Sequence, residues 1–290
     1  MTSTRKTLQQ TCCRLRLRAG LSPACRVGLL ALCAALASGN AVAQRWFPQP
    51  IKWQPSEAMG IAAADLNNDG HMDVVGLGRL DGEVRIHLGD GDGSFTALDD
   101  FYSDDYPFDI AVEDFDDDGK QDLALAKFGG VSGISVLLGN GDGTFGPETD
   151  YAPGSFMQLY SVSVGDFNGD GVPDLLGMGT DGWALLGQGN GTFTAFDVPG
   201  YIYFAGVADF DGDYQDDYAY PRGNLDTVEV QLSNGDGSFV LAGSSSVGDA
   251  PQAVTAGDVS EDGIPDLVVA NTDSNDISVL LGNGDGTFGP

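Results

Sequence analysis

Short apolar runs recur in pairs along this chain, one entering a stretch rich in acids and glycine and one leaving it. The entering runs are residues 60–64, 110–112, 162–164, 206–208 and 254–256, and the leaving runs are 74–75, 123–125, 175–176, 218–219 and 267–269. A third segment follows. It is clearest in Glu83-Val84-Arg85-Ile86-His87-Leu88, where apolar and polar side chains alternate with period two, the mark of a half-buried strand. A glycine-rich turn then closes on Phe95, Phe145, Phe193, Phe239 or Phe288. Asp-Gly and Asn-Gly in such turns are strong hairpin signals, and a fourth strand is predicted after each, as at 193–198. No stretch sustains a helical period. Five units of about 48 residues, each with four strands, predict an all-β fold, a β-propeller of four-stranded blades. The repeat cores fall at 60–95, 109–145, 160–193, 206–239 and 253–288, within a domain spanning 44–290.

The acidic stretch between the first two strands of each unit carries the candidate chemistry. In Asp166-Phe167-Asn168-Gly169-Asp170-Gly171-Val172-Pro173-Asp174, oxygen-bearing side chains stand at positions 1, 3, 5 and 9. Position 6 is glycine, which takes φ > 0 without steric cost. Oxygens on alternate residues around a sharp turn suit Ca²⁺, which takes six to eight oxygen ligands and tolerates irregular geometry better than Mg²⁺. A backbone carbonyl, that of Val172, is expected to complete this set. The other copies start at Asp65, Asp114, Asp209 and Asp258. Loop one offers Asp65, Asn67, Asp69 and Asp73 with the His71 carbonyl. Loop two offers Asp114, Asp116, Asp118 and Asp122 with Gln121. Loop four offers Asp209, Asp211, Asp213 and Asp217 with Gln215, and loop five Asp258, Ser260, Asp262 and Asp266 with Ile264. Loop four departs at position 6, where Tyr214 replaces glycine. A bulky side chain held at φ > 0 is strained by about 1–2 kcal/mol.

These loops are not EF-hands, which need a bidentate Glu at position 12 and flanking helices. Position 12 here is Gly76, Leu125, Gly177, Tyr220 or Val269, in or beside strands. The D-x-[DN]-x-D-G-x-x-D loop followed by G-N-G-D-G-T-F resembles the FG-GAP/VCBS repeats of integrin α-subunit-like β-propellers. That resemblance covers about residues 46 to 290. It implies a propeller with Ca²⁺ held in its blade hairpins, four to five structural ions, and an exported cell-adhesion or recognition role. Five repeats depart from the seven of the best-known members. Two arrangements stay open: a five-bladed ring closed by an N-terminal strand from 45–53, or a fragment of a larger propeller. The chain is expected to be a monomer if the ring closes. The last unit stops before its predicted fourth strand.

The first residues read as a leader. Arg5, Lys6, Arg14, Arg16, Arg18 and Arg26 precede an apolar run at 27–36 and then Ala41-Val42-Ala43. This is the layout of a secretory signal peptide, 1–43, cut after Ala43, and the run is too short for a bilayer span. Leu30-Ala31-Leu32-Cys33 offers a lipoprotein-like box, opposed by the bulky Leu32. The expected location is extracellular or periplasmic. All four cysteines (Cys12, Cys13, Cys25, Cys33) lie in the leader, so no disulfide is expected in the exported part. Net charge is −30, and removing the basic leader makes the rest more acidic still. Such a surface repels phosphate backbones and anionic lipid, so neither nucleic acid nor membrane insertion is expected.

Converging carboxylates repel unless a cation neutralises them. A site with a Kd of about 0.1 mM at about 1 mM Ca²⁺ adds roughly 1.4 kcal/mol of stability. Five add about 7 kcal/mol, comparable with a whole domain's stability. Ca²⁺ is thus expected to substitute for the missing disulfides. No catalytic constellation stands out: His71 sits in a metal loop and His87 on the polar side of a strand, where exposure is expected. The expectation is a non-catalytic module for an extracellular protein or glycan ligand. The alternative is a lyase-like polysaccharide-acting enzyme or its accessory domain. That chemistry wants a free cation near a sugar carboxylate, from Arg45, Lys52, Arg79, Arg85, Lys120, Lys127 or Arg222. Tyr201, Tyr203, Phe204, Tyr214, Tyr218 and Tyr220 cluster around loop four, as core or as a ligand platform.

Overall fold

The computed structural model describes residues 58–289 apart from 79–81, 104–105, 130–132, 152–157, 181 and 199–203. The predicted leader, the predicted closing segment at 45–53, and Tyr201 and Tyr203 lie outside the described residues.

The described chain forms five antiparallel sheets in sequence order, with no helix. The first holds β1 (Ala58–Ala64), β2 (Asp73–Gly78), β3 (Glu83–Gly89) and β4 (Phe95–Ala97), and β5 (Phe101–Tyr102) also pairs with β3. The second holds β6 (Pro107–Glu113), β7 (Asp122–Lys127), β8 (Ile134–Leu137) and β9 (Thr149–Tyr151). The third holds β10 (Leu159–Gly165), β11 (Asp174–Gly179), β12 (Gly182–Gly187) and β13 (Phe193–Val198). The fourth holds β14 (Gly206–Ala208), β15 (Asp217–Arg222), β16 (Thr227–Ser233) and β17 (Phe239–Ser246). The fifth holds β18 (Pro251–Gly257), β19 (Asp266–Asn271), β20 (Asp276–Gly282) and β21 (Phe288–Gly289). These are the four-stranded blades of a multi-blade propeller. Each acidic loop joins the first and second strands of its sheet, where the sequence placed it. The fourth strand of the last sheet has already begun, because Phe288 and Gly289 pair with β20.

Apolar runs without alternation mark strands covered on both faces. Every residue of β7, β11 and β12 is buried, because neighbouring sheets lie on both sides. Four cores fill the spaces between consecutive sheets. Leu66, Val75 and Leu77 meet Ile110, Leu123 and Leu125 in the first. Phe115, Ala124 and Val136 meet Val162, Leu175 and Leu185 in the second. Phe167, Leu176 and Met178 meet Tyr218 and Tyr220 in the third, and Phe210, Ala219 and Val230 meet Val254, Leu267 and Leu280 in the fourth.

One joint recurs between sheets. The residue at loop position 2 packs under the phenylalanine that closes the next sheet's turn. Phe115–Phe193, Phe167–Phe239 and Phe210–Phe288 are edge-to-face pairs with centroids 5.7, 5.7 and 5.4 Å apart, the arrangement aromatic quadrupoles favour. Leu66 and Phe145 share the first core. Phe145, Phe193, Phe239 and Phe288 are therefore packing anchors between sheets. A hydrogen bond accompanies the contact: Gly143 N–H donates to the Leu66 carbonyl (3.1 Å), Gly191 to Phe115 (3.0 Å) and Gly286 to Phe210 (2.9 Å). At the remaining joint the Ser233 hydroxyl donates to the Phe167 carbonyl.

Candidate metal centres

Each acidic loop is wound around its first aspartate. Asp65 accepts from the N–H groups of Asp69 and Gly70 at 3.1 and 2.8 Å. Asp114 accepts from Asp118 and Gly119, Asp166 from Asp170 and Gly171, and Asp258 from Asp262 and Gly263. Asp209 accepts from Gly212, Asp213 and Tyr214. The aspartate at position 5 accepts from the N–H of position 7, at 2.8 Å from His71 and from Val172. Position 6 lies at positive φ in every copy, with Gly70, Gly119, Gly171 and Gly263 in four and Tyr214 (φ 70°) in loop four. The strain expected at Tyr214 is present.

The aspartate at position 9 ties the loop to its sheet. Asp73, Asp122, Asp174, Asp217 and Asp266 are all buried. One oxygen accepts from position 2, as Phe115 N–H to Asp122 Oδ2 at 2.9 Å. The other accepts from the end of the third strand, as Gly139 N–H to Asp122 Oδ1 at 2.6 Å. Sequence reasoning treated these residues as ligands alone and missed this second role. Burial pushes the carboxyl of Asp122 up to about 6 and those of Asp174 and Asp217 up to about 7, against the pull of their backbone hydrogen bonds. Removing charge from water disfavours the ionised form.

Asp114, Asp116 and Asp122 each bring a carboxylate oxygen within 4.8 Å of the others, and so do Asp209, Asp211 and Asp217. These are the loops with aspartate at position 3; loops one and three carry Asn67 and Asn168 there, and loop five Ser260. Asp116 Oδ1 is buried without a hydrogen bond of normal geometry, and burial together with the nearby Asp118 and Asp114 raises its carboxyl's pKa. A shielded Asp116 oxygen without a donor, beside two further carboxylates that converge on it, fits a hard cation. Asp118 and Asp213 lie beside these triads, and each also has a partner at position 7 of its own loop. Lys120 Nζ meets Asp118 Oδ2 at 2.5 Å, and Gln215 Nε2 donates to Asp213 Oδ2 at 2.8 Å. In loops one and three, Asn67 and Asn168 donate to Asp69 and Asp170. The expectation for Gln121 is corrected. The residue in register with His71 and Val172 is Lys120, whose N–H donates to Asp118, and the Gln121 carbonyl is turned against Gly139 of the sheet.

Loops three and four are laced by Asp216. Its carboxylate accepts from Asp166 N–H at 2.9 Å and its own N–H donates to the Asp166 carbonyl at 2.7 Å. The visible signal was an acid at position 8, where the other loops have Met72, Gln121, Pro173 and Pro265. His87 departs from its expected exposure: it is half-buried with Nε2 shielded, and burial lowers its pKa. The tyrosine group divides. Tyr218 and Tyr220 are core, whereas Phe204 and Tyr214 face solvent. In the glycine-rich turns, positive φ is carried by the glycines. Asp92, Asp142, Asn190, Asp236 and Asp285 instead accept from the Ser or Thr two residues on.

The FG-GAP-like repeat signature matches residues 65–125, 114–177 and 209–269. The chain belongs to the FG-GAP-like repeat family. Each matched span begins at the first aspartate of one loop and ends in the strand leaving the next, so the family's unit straddles the joint between two blades. A search of curated proteins finds no match. Among solved structures, the rhamnogalacturonan lyase PL11 of Bacillus licheniformis is 18% identical, with a TM-score of 0.49, over 80% of this chain and 50% of that one. BBS1N in its complex with ARL6DN is 14% identical, with a TM-score of 0.48, over 80% of this chain and 81% of that one. The V. cholerae biofilm matrix protein Bap1 is 16% identical, with a TM-score of 0.49, over 81% and 38%. The chain thus spans about half the length of the lyase. None of these likenesses assigns it an activity, a ligand or a partner.

Proposed function

We propose that this FG-GAP propeller is an exported, Ca²⁺-stabilised, non-catalytic recognition module that presents its blades to an extracellular protein or glycan. The carrying observation is the convergence of Asp114, Asp116 and Asp122 within 4.8 Å of one another. Asp114, Asp116 and Asp122 would hold one ion, and Asp209, Asp211 and Asp217 another. In loops one, three and five the oxygen at position 3 would come from Asn67, Asn168 or Ser260. The ion supplies positive charge where buried carboxylates otherwise oppose folding. Asp73, Asp122, Asp174, Asp217 and Asp266 hold each loop to its sheet through backbone N–H groups, so metal and fold support each other.

The basic groups favour recognition over sugar-acid chemistry. Among the described residues Arg85 pairs with Glu83 and Asp100, Lys120 with Asp118, Lys127 with Glu148 and Asp150, and Arg222 with Glu229. Each of these four cations is already engaged by a carboxylate, and Arg45, Lys52 and Arg79 lie outside the described residues. Melting the exported chain with Ca²⁺ and with chelator, while counting bound metal by native mass spectrometry, tests the metal. Four or five ions and a large stabilisation are expected; no metal and no shift would overturn it. A glycan array and a pull-down from extracellular material, each with Ca²⁺ and with chelator, test recognition, and turnover of an acidic polysaccharide would overturn the non-catalytic assignment.

A further inference from the structure

Loops three and four are tied together by backbone as well as side chain. Asp216, at position 8 of loop four, exchanges two hydrogen bonds with Asp166, the first residue of loop three. Its carboxylate accepts from the Asp166 N–H at 2.9 Å, and its own N–H donates to the Asp166 carbonyl at 2.7 Å. A second contact lies beside this lock. A Cβ at Gly169 of loop three would come within 3.2 Å of Gln215 Cγ and 3.5 Å of the Tyr214 carbonyl oxygen, so the two loops pack backbone against side chain. Gln215 donates in turn from Nε2 to Asp213 Oδ2 at 2.8 Å. The loop-four segment offered to an ion, 213–217, is therefore also the segment that grips Asp166 and Gly169.

The other neighbouring loops lack this lock. Loops two and three, and loops four and five, would need it from Pro173 and Pro265 at position 8, and proline has no N–H to give. Between loops one and two the residue is Gln121, and among the described residues no backbone hydrogen bond joins it to Asp65. What links that pair is an exposed bond of 3.3 Å from Asn68 Nδ2 to the Gly119 carbonyl. Asp166 meanwhile has two duties. Its side chain accepts from the Asp170 and Gly171 N–H groups and is the first oxygen that loop three offers, while its backbone is fixed by loop four. An ion in loop four would set the backbone around Asp213, Gln215 and Asp217, hold Asp216 against Asp166, and so place the loop-three oxygens in advance. An ion in loop three acts the same way in reverse, because coupling between binding sites is reciprocal.

We propose that loops three and four bind Ca²⁺ as a coupled pair, each ion strengthening the other's site through the Asp216–Asp166 lock, while loop two, which has no such lock, fills on its own. This rests on the Ca²⁺ assignment of the loops. The coupling expected is about tenfold in affinity, within the usual range for linked sites.

A Ca²⁺ titration of the full chain, followed by NMR at the amides of Gly119, Gly171 and Tyr214, tests this. Each of these N–H groups donates to the first aspartate of its own loop, so loops two, three and four are read separately. Gly171 and Tyr214 are expected to move together over one range of Ca²⁺. Asp209→Asn with Asp211→Asn, which lowers the charge of loop four, is expected to raise the Ca²⁺ needed at Gly171 about tenfold and to leave Gly119 unmoved. Asp216→Pro gives loop four the residue that loops three and five carry at position 8, so the backbone accepts it. It is expected to shift Gly171 by a similar factor, and in a chain that carries it the loop-four substitutions should no longer move Gly171. Asp216→Ala, which keeps the N–H and loses the acceptor, should fall between. A Gly171 midpoint that ignores the state of loop four overturns the coupling and leaves Ca²⁺ binding standing. Equal shifts at Gly171 and Gly119 overturn it too, because they report a general loss of charge or fold. So does a loop-four effect that survives Asp216→Pro, which acts through space and not through the lock. Silence of all three amides at every Ca²⁺ concentration removes the metal assignment itself, and the pairing with it.

Discussion

Asp217 and Asp266 hold the same position in neighbouring loops and make the same kind of ties, yet they live in different electrostatic surroundings. Asp217 accepts from Phe210 N–H at 2.9 Å and Ser233 N–H at 2.8 Å. Asp266 accepts from Val259, Ser260 and Gly282 at 3.0, 2.9 and 2.9 Å. Burial drives the Asp217 carboxyl up to about 7, whereas the Gly282 N–H and its companions hold the Asp266 carboxyl below the usual range. The fourth sheet is covered by the fifth, with Phe210 under Phe288. Nothing described covers the forward face of the fifth, and Val259 above Asp266 is half exposed. Local hydrogen bonds shape the loop; the neighbouring sheet sets what its charge costs.

The largest expected effect tests the joint. Phe115→Ala should cost about 3–5 kcal/mol, the usual loss for a buried phenylalanine, whereas Val259→Ala should stay within about 0.5 kcal/mol. Denaturant unfolding of both variants checks this, and equal losses would erase the distinction between inner joint and open end. Next, Asp217→Ala leaves two buried N–H groups without acceptors and should cost about 3 kcal/mol. Asp266→Ala, where water reaches the freed donors, should cost about 1 kcal/mol. Hydrogen exchange at Phe210 and Ser233, set against Val259 and Gly282, locates the difference.

The pH dependence is smaller and has two signs. Asp122, Asp174 and Asp217 have folded pKa values above the unfolded value of about 3.9. Their contribution is therefore full below about pH 4 and is lost as pH rises through about 6 to 7. Asp266 is lowered, so its contribution is present above the unfolded pKa and is lost as pH falls into the acid range. In chelator the melting temperature should fall between about pH 4 and 7, and Asp174→Asn should flatten part of that slope. Saturating Ca²⁺ should remove most of it, because the ion stabilises the ionised carboxylates. A chelated protein that melts at one temperature across this range would break the comparison. The smallest effect lies at loop four. Tyr214→Gly relieves a left-handed backbone and should stabilise by about 1 kcal/mol, and Gly171→Tyr in loop three should cost a similar amount.

Much of this was legible in the residues. The pairing of apolar runs around each acidic loop placed β1 and β2 and their four counterparts correctly; the signal is strongest in β7 and β11, where a strand covered on both faces is apolar nearly throughout. The turn phenylalanines announced themselves by recurrence, and Phe145, Phe193, Phe239 and Phe288 prove to be the anchors of the joints. Other features were hidden. Asp73, Asp122, Asp174, Asp217 and Asp266 look like ligands by spacing, and nothing in the spacing says that each also accepts a hydrogen bond from a strand 13 to 17 residues away. Lys127 reads as a free cation, yet it is buried against Asp150 of an outer strand and Glu148 just before it.

What the sequence by itself determined is the repeating unit: four strands, an acidic turn with φ > 0 at position 6, and a glycine turn closed by phenylalanine. Each depends on contacts within a few residues, so periodicity and turn chemistry suffice to specify it. Which carboxylates converge, which are raised by burial, and which apolar faces remain open were decided by the tertiary structure alone. These depend on what lies across the gap between sheets. The same Val or Ile is core in one sheet and surface in another, because burial belongs to the pair of faces and not to the residue.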